Sequence, residues 1–138
     1  MPHSLYLMLT WTTYERLPMI RAPEASFLSR FLPAEAQRHH MTVLALGMVV
    51  DHVHLVLRAP PVMNISQLVQ HLKGGSSRVA NQTIDGPGLR WAAGYSVQSV
   101  SPDALSRTIH YVRAQHLRHP DRLIPDLDPN LGACGDRS

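Results

Sequence analysis

The apolar positions of this chain fall into two rhythms, and their order sets the expected architecture. Ser4–Thr13 reads Ser-Leu-Tyr-Leu-Met-Leu-Thr-Trp-Thr-Thr. It alternates in part and is rich in aromatic and β-branched residues, which predicts a strand. A loop with Arg16, Pro18 and Arg21 follows. From Pro23 to His40 the spacing becomes helical, with Phe27, Leu28, Phe31 and Leu32 on one side. Pro23 suits the first helical turn and Glu24 suits the positive end of the helix. Pro33 lacks a backbone donor, so a bend or break is expected there.

Met41–Ala59 is too long for one strand and predicts a hairpin, Thr42–Val49 and His52–Arg58, turning at Val50-Asp51. Both strands are apolar on both faces over most of their length, which places them mid-sheet under helices. Pro60-Pro61 ends the sheet run. Ile65, Leu68, Val69, Leu72, Ser76 and Val79 trace one face of a second helix, with Asn64 or Ser66 as its cap. Gly74-Gly75 inside it costs roughly 1 kcal/mol per glycine relative to alanine. The pair marks either a break or a place where something packs close to the backbone. After the Asp85-Gly86-Pro87-Gly88 loop, Trp91 and Tyr95–Val100 predict a short fourth strand. Ser101-Pro102-Asp103 opens a third helix with Leu105, Ile109, Val112 and His116 as its apolar stripe, ending near His119-Pro120.

The order is βαββαβ with one added helix. This is the split βαβ pattern of a ferredoxin-like α+β fold, with an antiparallel sheet and helices on one face. Residues 1–120 make one domain of ordinary size. Residues 121–138 are rich in Pro, Asp and Gly, lack periodicity, and predict an extended or disordered tail.

Composition narrows the function classes. No apolar run approaches the roughly 18 residues that span a bilayer. Met1-Pro2-His3-Ser4 is not a basic region followed by a long apolar stretch and a cleavage site, so no signal peptide is expected. The single cysteine, Cys134, supports neither a disulfide framework nor a thiolate metal site, and a cytoplasmic location is expected. Residues 1–120 carry 11 basic and 6 acidic groups, a surplus of five positive charges that suits a polyanionic partner without requiring one. Lys73 and Arg78 lie off the apolar stripe of the second helix. With Arg16 they are the candidate phosphate contacts; solvated charge is the simpler reading of each.

The chemistry gathers at Val50-Asp51-His52-Val53-His54-Leu55-Val56-Leu57. Alternation along a strand puts His52 and His54 on one side, where two imidazoles form half of a divalent-metal site. On the third helix Tyr111 and Gln115 are four residues apart and share a face. A tyrosine hydroxyl can act as a covalent nucleophile, and a glutamine carbonyl can ligate a hard metal. Taken alone, that helix would read as a rim tyrosine beside a solvated glutamine.

Together these stretches resemble one family. Asp-His-Val-His-Leu-Val-Leu, then Leu-Lys-Gly, then Trp-Ala-Ala-Gly-Tyr-Ser-Val-Gln-Ser-Val-Ser, then Tyr-Val-Arg-Ala-Gln, are similar to the single-tyrosine HUH transposases of the smallest bacterial insertion sequences. That family includes the relatives acting on repetitive extragenic palindromes. The resemblance runs from about Leu5 to His119. It implies His52, His54 and Gln115 as ligands of Mg²⁺ or Mn²⁺, and Tyr111 as the nucleophile. It implies cleavage and rejoining of single-stranded DNA through a 5′-phosphotyrosine, recognition of a DNA hairpin, and a homodimer sharing its sites in trans. Two other readings compete. One is a hairpin-DNA-binding regulator that keeps the fold without cleavage. The other is a small metallohydrolase, which would need a further ligand. Asp51 adjoins His52, but strand alternation would point it to the other face.

Overall fold

The structure, a computed structural model, describes residues 4–114 and 123–125. The chain runs β1 (Leu5–Thr12), a 3-10 turn (Tyr14–Arg16), α1 (Ala22–Arg38), β2 (Thr42–Val49), β3 (His52–Ala59), α2 (Ile65–Thr83), β4 (Ser96–Val100), a 3-10 turn (Pro102–Ala104) and α3 (Leu105–Arg113). The four strands form one sheet in the order β2-β3-β1-β4, with every neighbouring pair antiparallel. This is the ferredoxin-like α+β arrangement.

Alternation splits the sheet into two unlike faces. Leu7, Leu9 and Trp11 of β1 and Val53, Leu55 and Leu57 of β3 join Leu28 and Leu32 of α1 and Leu68 and Leu72 of α2 in the main core. Burying side chains of this size contributes about 1.5–3 kcal/mol each. The opposite face carries a smaller cluster. Ala45 and Val56 pack there with Val112 of α3, flanked by Met8, Leu105, Ile109 and Tyr111. His52 and His54 have the same parity along β3 as Val56, so they belong to the α3 side.

β2 is an edge strand, which corrects the mid-sheet placement expected from its apolar pattern. Its two faces are both apolar because α1 packs on one and α3 on the other. The register shifts between Val43 and Ala45, so Leu44 is an extra residue in the strand. Val43, Leu46 and Met48 therefore all reach the main core, while Ala45 reaches the α3 side. α1 also departs from expectation, because it runs unbroken through Pro33. Leu28, Leu32 and Ala36 are fully buried on both sides of the proline, and this packing outweighs the lost hydrogen bond.

α2 is capped by Asn64, whose side chain accepts from the Gln67 backbone at 3.0 Å. It is continuous through Gly74-Gly75. A Cβ on Gly75 would lie 2.9 Å from Phe31 Cζ, whereas one on Gly74 would meet nothing within 4 Å. Gly75 thus allows α1 and α2 to pack closely, and neither glycine breaks the helix. Trp91 pairs with Thr13 as an isolated bridge and does not join β4. Ser101 caps the last turn-helix segment by accepting from the Ala104 backbone at 3.3 Å. Of the tail, Ile124 is buried in the main core. The expected helix end near His119 lies outside the described residues.

Candidate active site

The hairpin turn and β1 together fix the two histidines. His52 is 4% exposed, and its Nδ1 lies 2.8 Å from Asp51 Oδ1. An ionised carboxylate only accepts, so Nδ1 is the donor, and in a neutral ring this arrangement leaves the lone pair on Nε2. His54 Nδ1 lies 2.9 Å from Thr10 Oγ1, its direct cross-strand neighbour. With Thr10 accepting, His54 adopts the same tautomer. The rings stand nearly perpendicular, with centroids 4.9 Å apart.

Asp51 is where alternation misleads. It lies in the turn, so its side chain is not bound to the strand's parity and folds back onto His52. Its backbone carbonyl accepts from Thr13 N at 2.9 Å, and Thr13 Oγ1 adds a longer contact of 3.3 Å. The second carboxylate oxygen lies 3.5 Å from Arg16 Nε. Arg16 and the preceding Glu15 both have positive φ, 55° and 51°, uncommon for residues with a Cβ. Arg16 is therefore brought to the histidine pair through Asp51.

α3 completes the site from above. Its apolar stripe docks on β2 and β3 of the same chain and leaves Tyr111 half-buried at the edge of that contact. The Tyr111 ring meets His54 edge to face, with centroids 6.3 Å apart. Gln115 lies outside the described residues.

The three basic residues separate. Arg16 is at the site. Lys73 points its ammonium at the backbone, donating to Ala92 O at 2.6 Å and Gly94 O at 2.8 Å. Partial burial lowers its pKa from the usual lysine value. Arg78 lines a recess between α1 and α2, on the far side of the sheet. Sequence reasoning missed Thr10 and set Asp51 aside. The available signals were the shared parity of Thr10 and Thr12 on β1 and the position of Asp51 inside a tight turn.

Among the described residues, one trio of potential metal ligands lies close together: Glu35, His39 and His71. It belongs to α1, its C-terminal cap and α2, and is distinct from the β3 pair.

A sequence model of the family described as IS200-like transposases matches residues 2–115. The chain belongs to the IS200-like transposase family. This IS200-like transposase is 27% identical over 122 residues to the ISDra2 transposase TnpA of Deinococcus radiodurans, covering 83% of this chain and 86% of that one. A crystal structure of a candidate transposase from the same organism superposes with a TM-score of 0.66 at 29% identity, over 83% of this chain and 92% of the other. A REP-associated tyrosine transposase, solved bound to a REP hairpin, gives the same TM-score of 0.66 at 9% identity, over 86% of this chain and 70% of that one. At that identity the second likeness concerns the fold. No described helix of the IS200-like transposase is long and apolar enough to cross a membrane.

Proposed function

We propose that this transposase cleaves and rejoins single-stranded DNA by transesterification, with Tyr111 as nucleophile and hairpin DNA as the recognised partner. The observation that carries the reading is the packing of Tyr111 beside His54, on the face that also holds His52. The Tyr111 oxygen forms a bond to a backbone phosphorus, and the bond from that phosphorus to the 3′-oxygen breaks. The phenolic proton is lost, the departing 3′-oxygen gains one, and a 5′-phosphotyrosine remains. A 3′-hydroxyl from another strand end reverses the exchange and frees the tyrosine.

The histidines fit a divalent ion. Each Nδ1 has an outer hydrogen-bond partner, as metal-bound imidazoles commonly do, so coordination would run through Nε2. Gln115 is proposed as the third ligand, and Mg²⁺ or Mn²⁺ as the ion. Such an ion would polarise the phosphate and orient it for attack. Asp51 and Thr10 hold the rings, and Arg16 supplies positive charge for the phosphate.

The Tyr111–His54 contact is made within one chain, which supports a site completed in cis. The trans arrangement implied by the family resemblance would require α3 to leave this face for a partner. A binding regulator without cleavage remains the second reading, and the ordered nucleophile beside the histidines weighs against it.

The test uses single-stranded oligonucleotides made from the DNA that flanks the coding region, chosen for any imperfect palindrome found there. Wild-type protein with Mn²⁺ should cleave them, and chelator should stop cleavage. His52→Ala should bind the hairpin but not cut it, because phosphate contacts elsewhere supply most of the affinity. Full cleavage by His52→Ala would overturn the assignment.

A further inference from the structure

The trio on the other side of the sheet is arranged as a second metal site. Glu35 Oε2 lies 3.4 Å from His39 Nε2 and 3.9 Å from His71 Nδ1, and the two nitrogens are 3.0 Å apart. The same three atoms make all three contacts. A point equidistant from them lies about 2.0 Å from each, the length of a zinc bond to imidazole nitrogen or carboxylate oxygen. Glu35 and His39 are one turn apart at the end of α1, and His71 reaches across from α2.

We propose that Glu35, His39 and His71 bind one borderline transition-metal ion, of the Zn²⁺ class, that clamps α1 to α2. Two imidazoles and one carboxylate select such an ion over Mg²⁺, which takes oxygen ligands. Three protein ligands leave a fourth position for water or an anion. Arg38, whose Nε lies 3.9 Å from the other oxygen of Glu35, and Arg78 in the adjoining recess favour an anion there. Glu35 and His39 are largely shielded, with side chains 18% and 16% exposed, so two of the three ligands are already held in place. The clamp lies one turn from the Phe31–Gly75 contact and would lock that close approach. This site is independent of the β3 histidines and of the cleavage reading.

The alternative is a hydrogen-bonded His–His–Glu network with no ion. The test uses untagged full-length protein carrying His52→Ala and His54→Ala, which removes the other histidine pair. Titration with Zn²⁺ alone by calorimetry, and with Co²⁺ alone by visible absorption, should show one equivalent bound. Zn²⁺ in large excess over its dissociation constant should raise the melting temperature by a few degrees. Adding His39→Gln or His71→Gln should weaken binding roughly 100-fold and remove the thermal shift, with circular dichroism unchanged. In the otherwise wild-type protein, His71→Gln should leave DNA cleavage intact. Absence of a bound equivalent, or binding indifferent to His39→Gln and His71→Gln, would overturn the proposal and leave the hydrogen-bonded network.

Discussion

The rings of His54 and Tyr111 stand edge to face within one chain, their centroids 6.3 Å apart. The contact exists because β3 sends its histidines to the face that α3 covers, and α3 docks there through Leu105, Ile109 and Val112. If the site is completed in cis, mixing His52→Ala with Tyr111→Phe protein restores nothing, since every chain carries one lesion. Recovery of cleavage after proven subunit exchange would show that α3 serves a partner's histidines.

The outer hydrogen bonds should matter almost as much as the ligands. Asp51→Ala strips His52 of its Nδ1 acceptor and should lower Mn²⁺ affinity or cleavage by roughly 10–100-fold. Asp51→Asn retains an acceptor oxygen and should lose less. Equal loss in the two variants, read by Mn²⁺ titration of cleavage rate, would show that the charge of Asp51 acts through something other than the orientation of His52.

Lys73 and Arg16 should behave differently despite their shared charge. Lys73→Met removes the two hydrogen bonds that the ammonium donates to the backbone carbonyls of Ala92 and Gly94 and should destabilise the fold by about 1 kcal/mol, partial exposure holding the loss to that level. Its salt dependence of DNA binding should match wild type. Arg16→Ala should flatten the dependence of log K on log salt by about 0.7 for a single strand, the signature of one lost phosphate contact. Denaturant melts and binding isotherms at several salt concentrations separate the two roles.

The adjacent glycines of α2 give a contrast in stability. Gly74→Ala adds helix propensity in open space and should stabilise by up to about 1 kcal/mol. Gly75→Ala places its methyl 2.9 Å from Phe31 Cζ, so that gain should be cancelled or reversed. Similar stabilisation by both, in urea melts, would mean that Phe31 moves aside at little cost.

What the sequence disclosed follows from the range of each signal. The shared face of His52 and His54 was legible because alternation is local, whereas Tyr111 stood out only through the family resemblance, since its helix alone reads as carrying a rim tyrosine. The βαββαβ order followed from the same local rhythms. The edge position of β2 was hidden because α1 covers one of its faces and α3 the other, so an edge strand carries apolar residues on both sides. Asp51 escaped because a turn residue does not obey strand parity. Thr10 escaped because its role depends on which residue of β3 it faces across β1. The Glu35–His39–His71 trio joins residues 32 apart on two helices, and only the Glu35–His39 spacing leaves a trace in the sequence.

The most direct measurement is the mapping of the covalent adduct. Wild-type protein is incubated with Mn²⁺ and a single-stranded substrate, the adduct is trapped and digested, and the modified peptide is identified by mass. The DNA should be joined through its 5′-phosphate to Tyr111, and Tyr111→Phe should form no adduct while its melting temperature and hairpin binding stay near wild type. An adduct on Tyr6, Tyr14 or Tyr95, or cleavage that persists in Tyr111→Phe, would contradict the account.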